Sequence, residues 1–257
     1  MRYLRQETFA PLGGDGQRRL RSGRVLIVGV GGLGSWTADL LARAGVGFLR
    51  LVDDDKVDWT NLHRQSLTDE SDAIAARPKV EAAASRIRQI NDAVSIEPVA
   101  ARLGPDNIKE LADGVDIILD GTDDFQTRFV INDAAVAGSL PWVFAGVGGA
   151  EAQTMTIVPK RSACLRCVYD SPPPPELEAA HKAATVGVLG PAVAAIASIQ
   201  ANEAIKILAG RHERLSTYLI KTDLWKNTVQ RIDVSQSRPD CPCCGRGIFQ
   251  FLAKADR

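Results

Sequence analysis

A chain of 257 residues with 45% hydrophobic and 24% charged side chains has room for one large α/β domain. That balance excludes disordered, collagenous and coiled-coil chains. Thirty-one basic residues meet thirty-one acidic ones, so no basic field marks a nucleic-acid binder. The first ten residues, M-R-Y-L-R-Q-E-T-F-A, lack the apolar run of a secretory signal. The longest apolar stretch, residues 188–199, contains Gly and Pro and is too short to span a bilayer. A cytoplasmic protein, apart from membranes, is expected.

Residues 24–30, R-V-L-I-V-G-V, form a β-branched run without alternation, as in a strand buried on both faces of a parallel sheet. Gly-rich sequence follows, then helical spacing from Leu33 to Ala44. A second strand is expected at 49–52, a helix at 78–90, and strands at 95–99 and 115–119. A helix over 124–137 leads to a strand at 142–145. This alternation predicts right-handed βαβ units in a Rossmann-like, open and mostly parallel sheet. Beyond Gly146, residues 154–158, 218–221 and 228–234 read as antiparallel strands extending it, and 191–208 as a long Ala-rich helix stopped by Gly210. The Ser171-Pro-Pro-Pro-Pro175 stretch must be an exposed, stiff connection. We expect one domain over 1–257, with a nucleotide-binding half at 22–150 and a second half at 151–257.

Gly29-Val-Gly31-Gly32-Leu-Gly34 matches G-x-G-x-x-G between a strand and a helix, where backbone can approach phosphate and free N–H groups meet its charge. Asp53, about 20 residues on, ends the next strand and can accept from ribose hydroxyls. A dehydrogenase is the default reading of this fingerprint. Arg64, in Asn61-Leu-His-Arg64-Gln65, and Lys79 count against it, because added cations suit a triphosphate and its departing pyrophosphate. Taken singly, each can also be a solvated surface charge. Asp123, in G-T-D past the fourth strand, can hold Mg²⁺ on phosphates, although Asp123 or Asp124 can equally cap the following helix.

Cys164-Leu-Arg-Cys167 and Cys241-Pro-Cys243-Cys244 supply two C-x-x-C pairs about 70 residues apart, a set suited to closed, tetrahedral structural Zn²⁺. The expected ligands are Cys164, Cys167, Cys241 and Cys244. Cys243 is left as a spare thiol, and zinc would clip the carboxyl-terminal tail to the segment after the sixth strand.

Together, R-Y-x-R-Q, G-x-G-G-L-G, D-x-D followed by N-L-x-R-Q, P-K-V, G-T-D and the paired cysteines resemble the ThiF/MoeB/HesA family, over nearly the whole chain and in order. The resemblance implies ATP-dependent adenylation of the C-terminal glycine of a ubiquitin-like sulfur-carrier protein ending in Gly-Gly. It implies an ATP site lined by Gly29, Gly31, Gly32, Gly34, Asp53, Asp55, Asn61, Arg64, Gln65, Lys79, Asp123 and Asp124. It also implies a homodimer, with Arg5 entering the neighbouring subunit's site, and a carrier-binding role for residues 151–257.

Two departures stand out. Asp124 replaces the Asn usual after G-T-D. Ala183 lies about where many members carry a nucleophilic cysteine, so a separate sulfur donor is expected. The attacking carboxylate is already ionised at neutral pH, so no general base is needed, and His63 is read as a solvated neighbour. The alternatives are an enzyme adenylating a peptide or an RNA base, and a nicotinamide-dependent oxidoreductase.

Overall fold

The computed structural model describes residues 2–174, 176–177 and 183–253. Helices α1 (Leu4–Glu7) and α2 (Gly13–Ser22) precede the first strand, β1 (Arg24–Val28), and the Gly-rich turn then opens α3 (Gly32–Ala44). Strand β2 (Phe48–Val52), helices α4 (Glu70–Ile74) and α5 (Lys79–Ile90), strand β3 (Ser95–Val99), helix α6 (Ile108–Leu111) and strand β4 (Ile117–Asp120) follow. Next come α7 (Phe125–Ala137), β5 (Trp142–Gly148), β6 (Glu151–Ile157) and α8 (Leu165–Val168). After α9 (Ala183–Val186) and the long α10 (Gly190–Leu208), strands β7 (Tyr218–Asp223) and β8 (Thr228–Asp233) complete the sheet.

The strand order is β3-β2-β1-β4-β5-β6-β7-β8. The first five strands run parallel, and the β5–β6, β6–β7 and β7–β8 pairs are antiparallel. This is the expected Rossmann-like sheet with an antiparallel extension.

Burial of both faces explains the unbroken apolar run of β1. Val25 and Ile27 join a core with Leu41 of α3, Val80 and Ile87 of α5 and Ala204 of α10, while Leu26 and Val28 face Phe129 and Ile131 of α7. Sheet order reverses between β1 and β4. The turns that follow these strands therefore diverge and leave a crevice at their carboxyl ends. The segment 171–174 carries no regular structure, and Pro175 of the expected stiff connection lies outside the described residues. So do His181 and Lys182; the backbone at Ala183 begins α9.

Candidate active site and cysteine cluster

A cleft of about 1510 Å³ occupies that crevice and continues along the antiparallel strands to Lys221, Trp225 and Gln230. Gly29, Gly31 and Gly32 of the Gly-rich turn line it beside Val28 and Leu33. Gly29 takes φ +83°, a left-handed conformation that suits glycine, as β1 turns toward α3. A Cβ on Gly34 would lie 1.8 Å from the Gly29 carbonyl oxygen, so Gly34 is required for strand and helix to meet. Gly31 differs, since a Cβ there would find no protein atom nearer than Gln65 Nε2 at 4.0 Å. The space above it suits the close approach of a ligand to the free amides at the α3 N-terminus.

Asp53 ties this turn to β2. Its Oδ2 accepts from the Val30 amide at 2.6 Å and its Oδ1 from the Asp55 amide at 2.8 Å. Burial pushes its carboxyl above the ordinary 3.8, against the opposing pull of Lys79 and the two amides. Lys79 Nζ lies 2.6 Å from Asp55 Oδ2. Gln65 Nε2 donates to Asn61 Oδ1 at 2.6 Å, leaving Gln65 Oε1 a buried acceptor without a donor among the described residues. A ligand hydroxyl or amine would satisfy it.

Arg64 donates to the Thr60 carbonyl at 2.8 Å, and Trp36 Nε1 fixes the Arg64 carbonyl at 3.0 Å. Partial burial draws the Arg64 guanidinium down, while the charge of Asp123 opposes that. Asp123 itself is exposed on the cleft wall. Asp124 caps α7, accepting from the amides of Gln126 at 3.2 Å and Thr127 at 3.1 Å. Burial pushes Asp124 up. Hydrogen bonds from Thr127 and Gln126 and the charge of Arg102 more than offset this and hold it below 3.8.

The structure thus gathers Gly29, Gly31, Gly32, Asp53, Asp55, Asn61, Arg64, Gln65, Lys79, Asp123 and Asp124 around one cleft. Gly34 lies beneath it. Arg5, exposed on α1, is not among the residues lining it.

Arg128 is the residue missed in the sequence. It is buried against the cleft, with Nε 2.9 Å from Asp120 Oδ2 and Nη2 donating to the carbonyls of Thr122 at 2.6 Å and Ala145 at 3.0 Å. Its guanidinium also packs over Phe125 and Phe144. Arg128 therefore holds the G-T-D turn against β5. The available signal was a lone cation in the otherwise apolar-rich run F-Q-T-R-F-V-I.

On the face of the sheet covered by α7, one ligand atom each from Cys164, Cys167, Cys241 and Cys244 lies within 4.8 Å of the others. Cys164 Sγ and Cys241 Sγ are 3.6 Å apart, and Cys167 Sγ and Cys244 Sγ 3.4 Å. Tetrahedral Zn–S bonds of about 2.3 Å put sulfurs about 3.8 Å apart, so the set fits zinc. Hydrogen bonds from Cys167, Cys243 and Cys244 push the Cys164 thiol far down, while that same partner pushes Cys167 up to about 11 and Cys244 higher.

The ThiF family model matches residues 3–243. The chain belongs to the ThiF family. Among its relatives, the sulfur carrier protein ThiS adenylyltransferase of Bacillus subtilis is 39% identical over 253 residues, covering 98% of this chain and 74% of that protein. The SAMP-activating enzyme E1 of Haloferax volcanii is 39% identical over 255 residues, covering 99% and 92%. Escherichia coli MccB, in its crystal structure with ATP, shares the fold at a TM-score of 0.81 and 24% identity, covering 95% of this chain and 74% of that one. The ThiF-family match runs through both halves of the sheet and into the cysteine cluster.

Proposed function

We propose that this protein is an adenylyltransferase that uses ATP to activate the C-terminal glycine of a ubiquitin-like sulfur-carrier protein. The observation that carries this reading is the continuity of the cleft. At about 1510 Å³ it exceeds the ~300–1,000 Å³ usual for a small-molecule site, and it runs from the Gly-rich turn to the antiparallel strands. One end suits a nucleotide, and the other gives an extended chain terminus room to reach the α-phosphate. The names of the relatives at 39% identity support the same chemistry.

A carboxylate oxygen of the carrier attacks the α-phosphorus, forming an acyl–phosphate bond. The bond to the bridging oxygen breaks, and pyrophosphate leaves with that electron pair. No proton must move. Asp53 would hold the ribose, the Gly31 turn the phosphates, and Arg64 and Lys79 the growing charge on pyrophosphate. Asp123 would hold Mg²⁺, since one carboxylate plus substrate phosphates is a usual donor set for that ion. Bound Mg²⁺ would screen the repulsion between the two anions.

Zinc would be held by Cys164, Cys167, Cys241 and Cys244 as a structural ion. Arg5 would complete the site of a partner subunit in a homodimer, and a separate donor would deliver sulfur to the acyl-adenylate. A cytoplasmic location accords with this chemistry; no described helix is long and apolar enough to cross a membrane.

The test is ATP–pyrophosphate exchange with a carrier ending in Gly-Gly and with the same carrier lacking those two residues. Exchange is expected only with the complete carrier. Exchange indifferent to the carrier terminus would sink this reading.

A further inference from the structure

The Cys-Pro-Cys-Cys turn offers three cysteines, of which two join Cys164 and Cys167. Cys243 is fully buried and adjacent to Cys244, yet it lies outside the four-sulfur group. Asn132 Nδ2 donates to Cys243 Sγ at 3.3 Å. The same Asn132 Nδ2 lies 3.4 Å from Asp133 Oδ1, so Asn132 bridges the thiol and the carboxylate.

Asn132 and Asp133 are consecutive in α7, and both are fully buried. A polar pair buried in a helix is tolerated when its groups find partners. Asn132 Oδ1 accepts from the Leu165 amide at 2.8 Å, inside the Cys164–Cys167 turn. Asp133 Oδ2 accepts from the Phe251 amide at 3.0 Å, and Arg166 Nη1 lies 3.9 Å from its carboxylate. Two neighbouring residues of one helix therefore grip both cysteine turns and the segment that follows them.

We propose that Asn132, Asp133 and Cys243 form a hydrogen-bonded peg that keeps Cys243 turned to the protein, leaves Cys244 as the fourth metal ligand and fastens the cysteine cluster to α7. The proposal rests on the reading of the four cysteines as a zinc site. Cys243 offers its sulfur lone pair to Asn132 and lies outside the four-sulfur group, so it stands outside the coordination sphere as an outer-shell group. Such groups slow ligand loss by restraining the first shell, and removing one typically changes metal affinity 10–100-fold. The same peg joins the metal cluster to the helix whose cap and leading residues, Asp124 and Asp123, wall the cleft.

The experiment compares the full-length wild type with Cys243→Ser, Cys243→Ala and Cys244→Ala. It reads zinc content, the rate of zinc transfer to a chromogenic chelator, and the absorption spectrum after cobalt substitution. The Ser hydroxyl can still accept from Asn132, so Cys243→Ser should keep zinc and release it near the wild-type rate. Cys243→Ala should keep the four-sulfur cobalt spectrum but release zinc roughly tenfold faster. Cys244→Ala should lose the four-sulfur spectrum.

A three-sulfur spectrum in Cys243→Ser would make Cys243 a ligand and overturn the proposal. Release from Cys243→Ala at the wild-type rate would reduce the thiol to space-filling. Equally fast release from the Ser and Ala variants would show that hydrogen bonding is not what holds the metal. A wild type that takes up neither zinc nor cobalt would remove the zinc reading, and this proposal with it.

Discussion

Lys79 reaches from the first turn of α5 to within 4.0 Å of Asp53, and both side chains are only 8% exposed. Asp53 is thereby held as a buried acceptor whose carboxyl sits above 3.8 despite the cation beside it. Its raised value means that Asp53 favours folding fully below its unfolded pKa, a contribution lost as pH rises through the folded one. Ribose hydroxyls need the ionised form. ATP binding should therefore weaken on acidification at a pH above that of an ordinary aspartate. Asp53→Asn should bind ATP about tenfold more weakly, a loss of about 1.5 kcal/mol, and lose this pH dependence. Affinity measured across the acid range in both proteins checks this; identical profiles would exclude Asp53 from the contact.

Asp123→Ala should keep its fold, because the side chain is exposed. Pyrophosphate exchange should fall by two orders of magnitude or more, about 3 kcal/mol of barrier. Undiminished exchange in a folded variant would take Asp123 out of the mechanism.

Arg64→Ala should slow the chemical step more than it weakens ATP binding, because charge on pyrophosphate grows as it departs. Arg64→Lys should recover little, since the guanidinium also holds the Thr60 carbonyl. Single-turnover kinetics separate the two effects. A change confined to KM would leave Arg64 a binding residue only.

Asp124 tests the acidic departure from the usual Asn. Its folded pKa is depressed, so its contribution to stability is present above the unfolded value and is lost as pH falls through the folded one. Asp124→Asn should retain the α7 cap, change stability by less than about 0.5 kcal/mol and lose that acid sensitivity, whereas Asp124→Ala should cost about 1 kcal/mol. Thermal melts at neutral and acid pH provide the comparison. A large loss for both variants at neutral pH would point to a need for the charge itself.

Ala183, which the family resemblance sets near the position of a nucleophilic cysteine, carries no thiol and begins α9. Incubation with ATP, Mg²⁺ and carrier should yield acyl-adenylate and AMP without a covalent enzyme–carrier species. Non-reducing gels and intact mass spectra report this directly. A thiol-labile adduct on Cys243 would refute it, and would require that buried sulfur to become accessible.

The parallel half of the fold was legible because Val25–Val28 is packed on both faces and so carries no polar alternation. The α2 helix was not, since G-G-D-G-Q-R-R-L-R-S looks like a loop. It forms because Leu20 is buried in the core and Gln17 Nε2 reaches the Ala44 carbonyl at 2.9 Å, contacts that are distant in sequence. Strand β6 begins three residues before its expected start, where pairing of Gly148 with Glu151 extends the ladder through a Gly-rich stretch. At the site, Asp53, Arg64 and Lys79 were readable from motif spacing. Arg128 was not, because its partners come from β4, the G-T-D turn and β5. The four-sulfur cluster followed from residue spacing, while the attachment of Cys243 to Asn132 depends on how α7 lies across the sheet.

Gly29, Gly31 and Gly32 bring main chain to the surface of the cleft, and that limits what deletion mutagenesis can reveal. Alanine substitutions around the rim remove charges one at a time but leave the main-chain amides of the Gly-rich turn in place. Residual nucleotide affinity should persist through even a multiply substituted rim. The Gly-rich turn is better probed by replacing single amides with esters through chemical ligation, which deletes one N–H while preserving the shape of the turn.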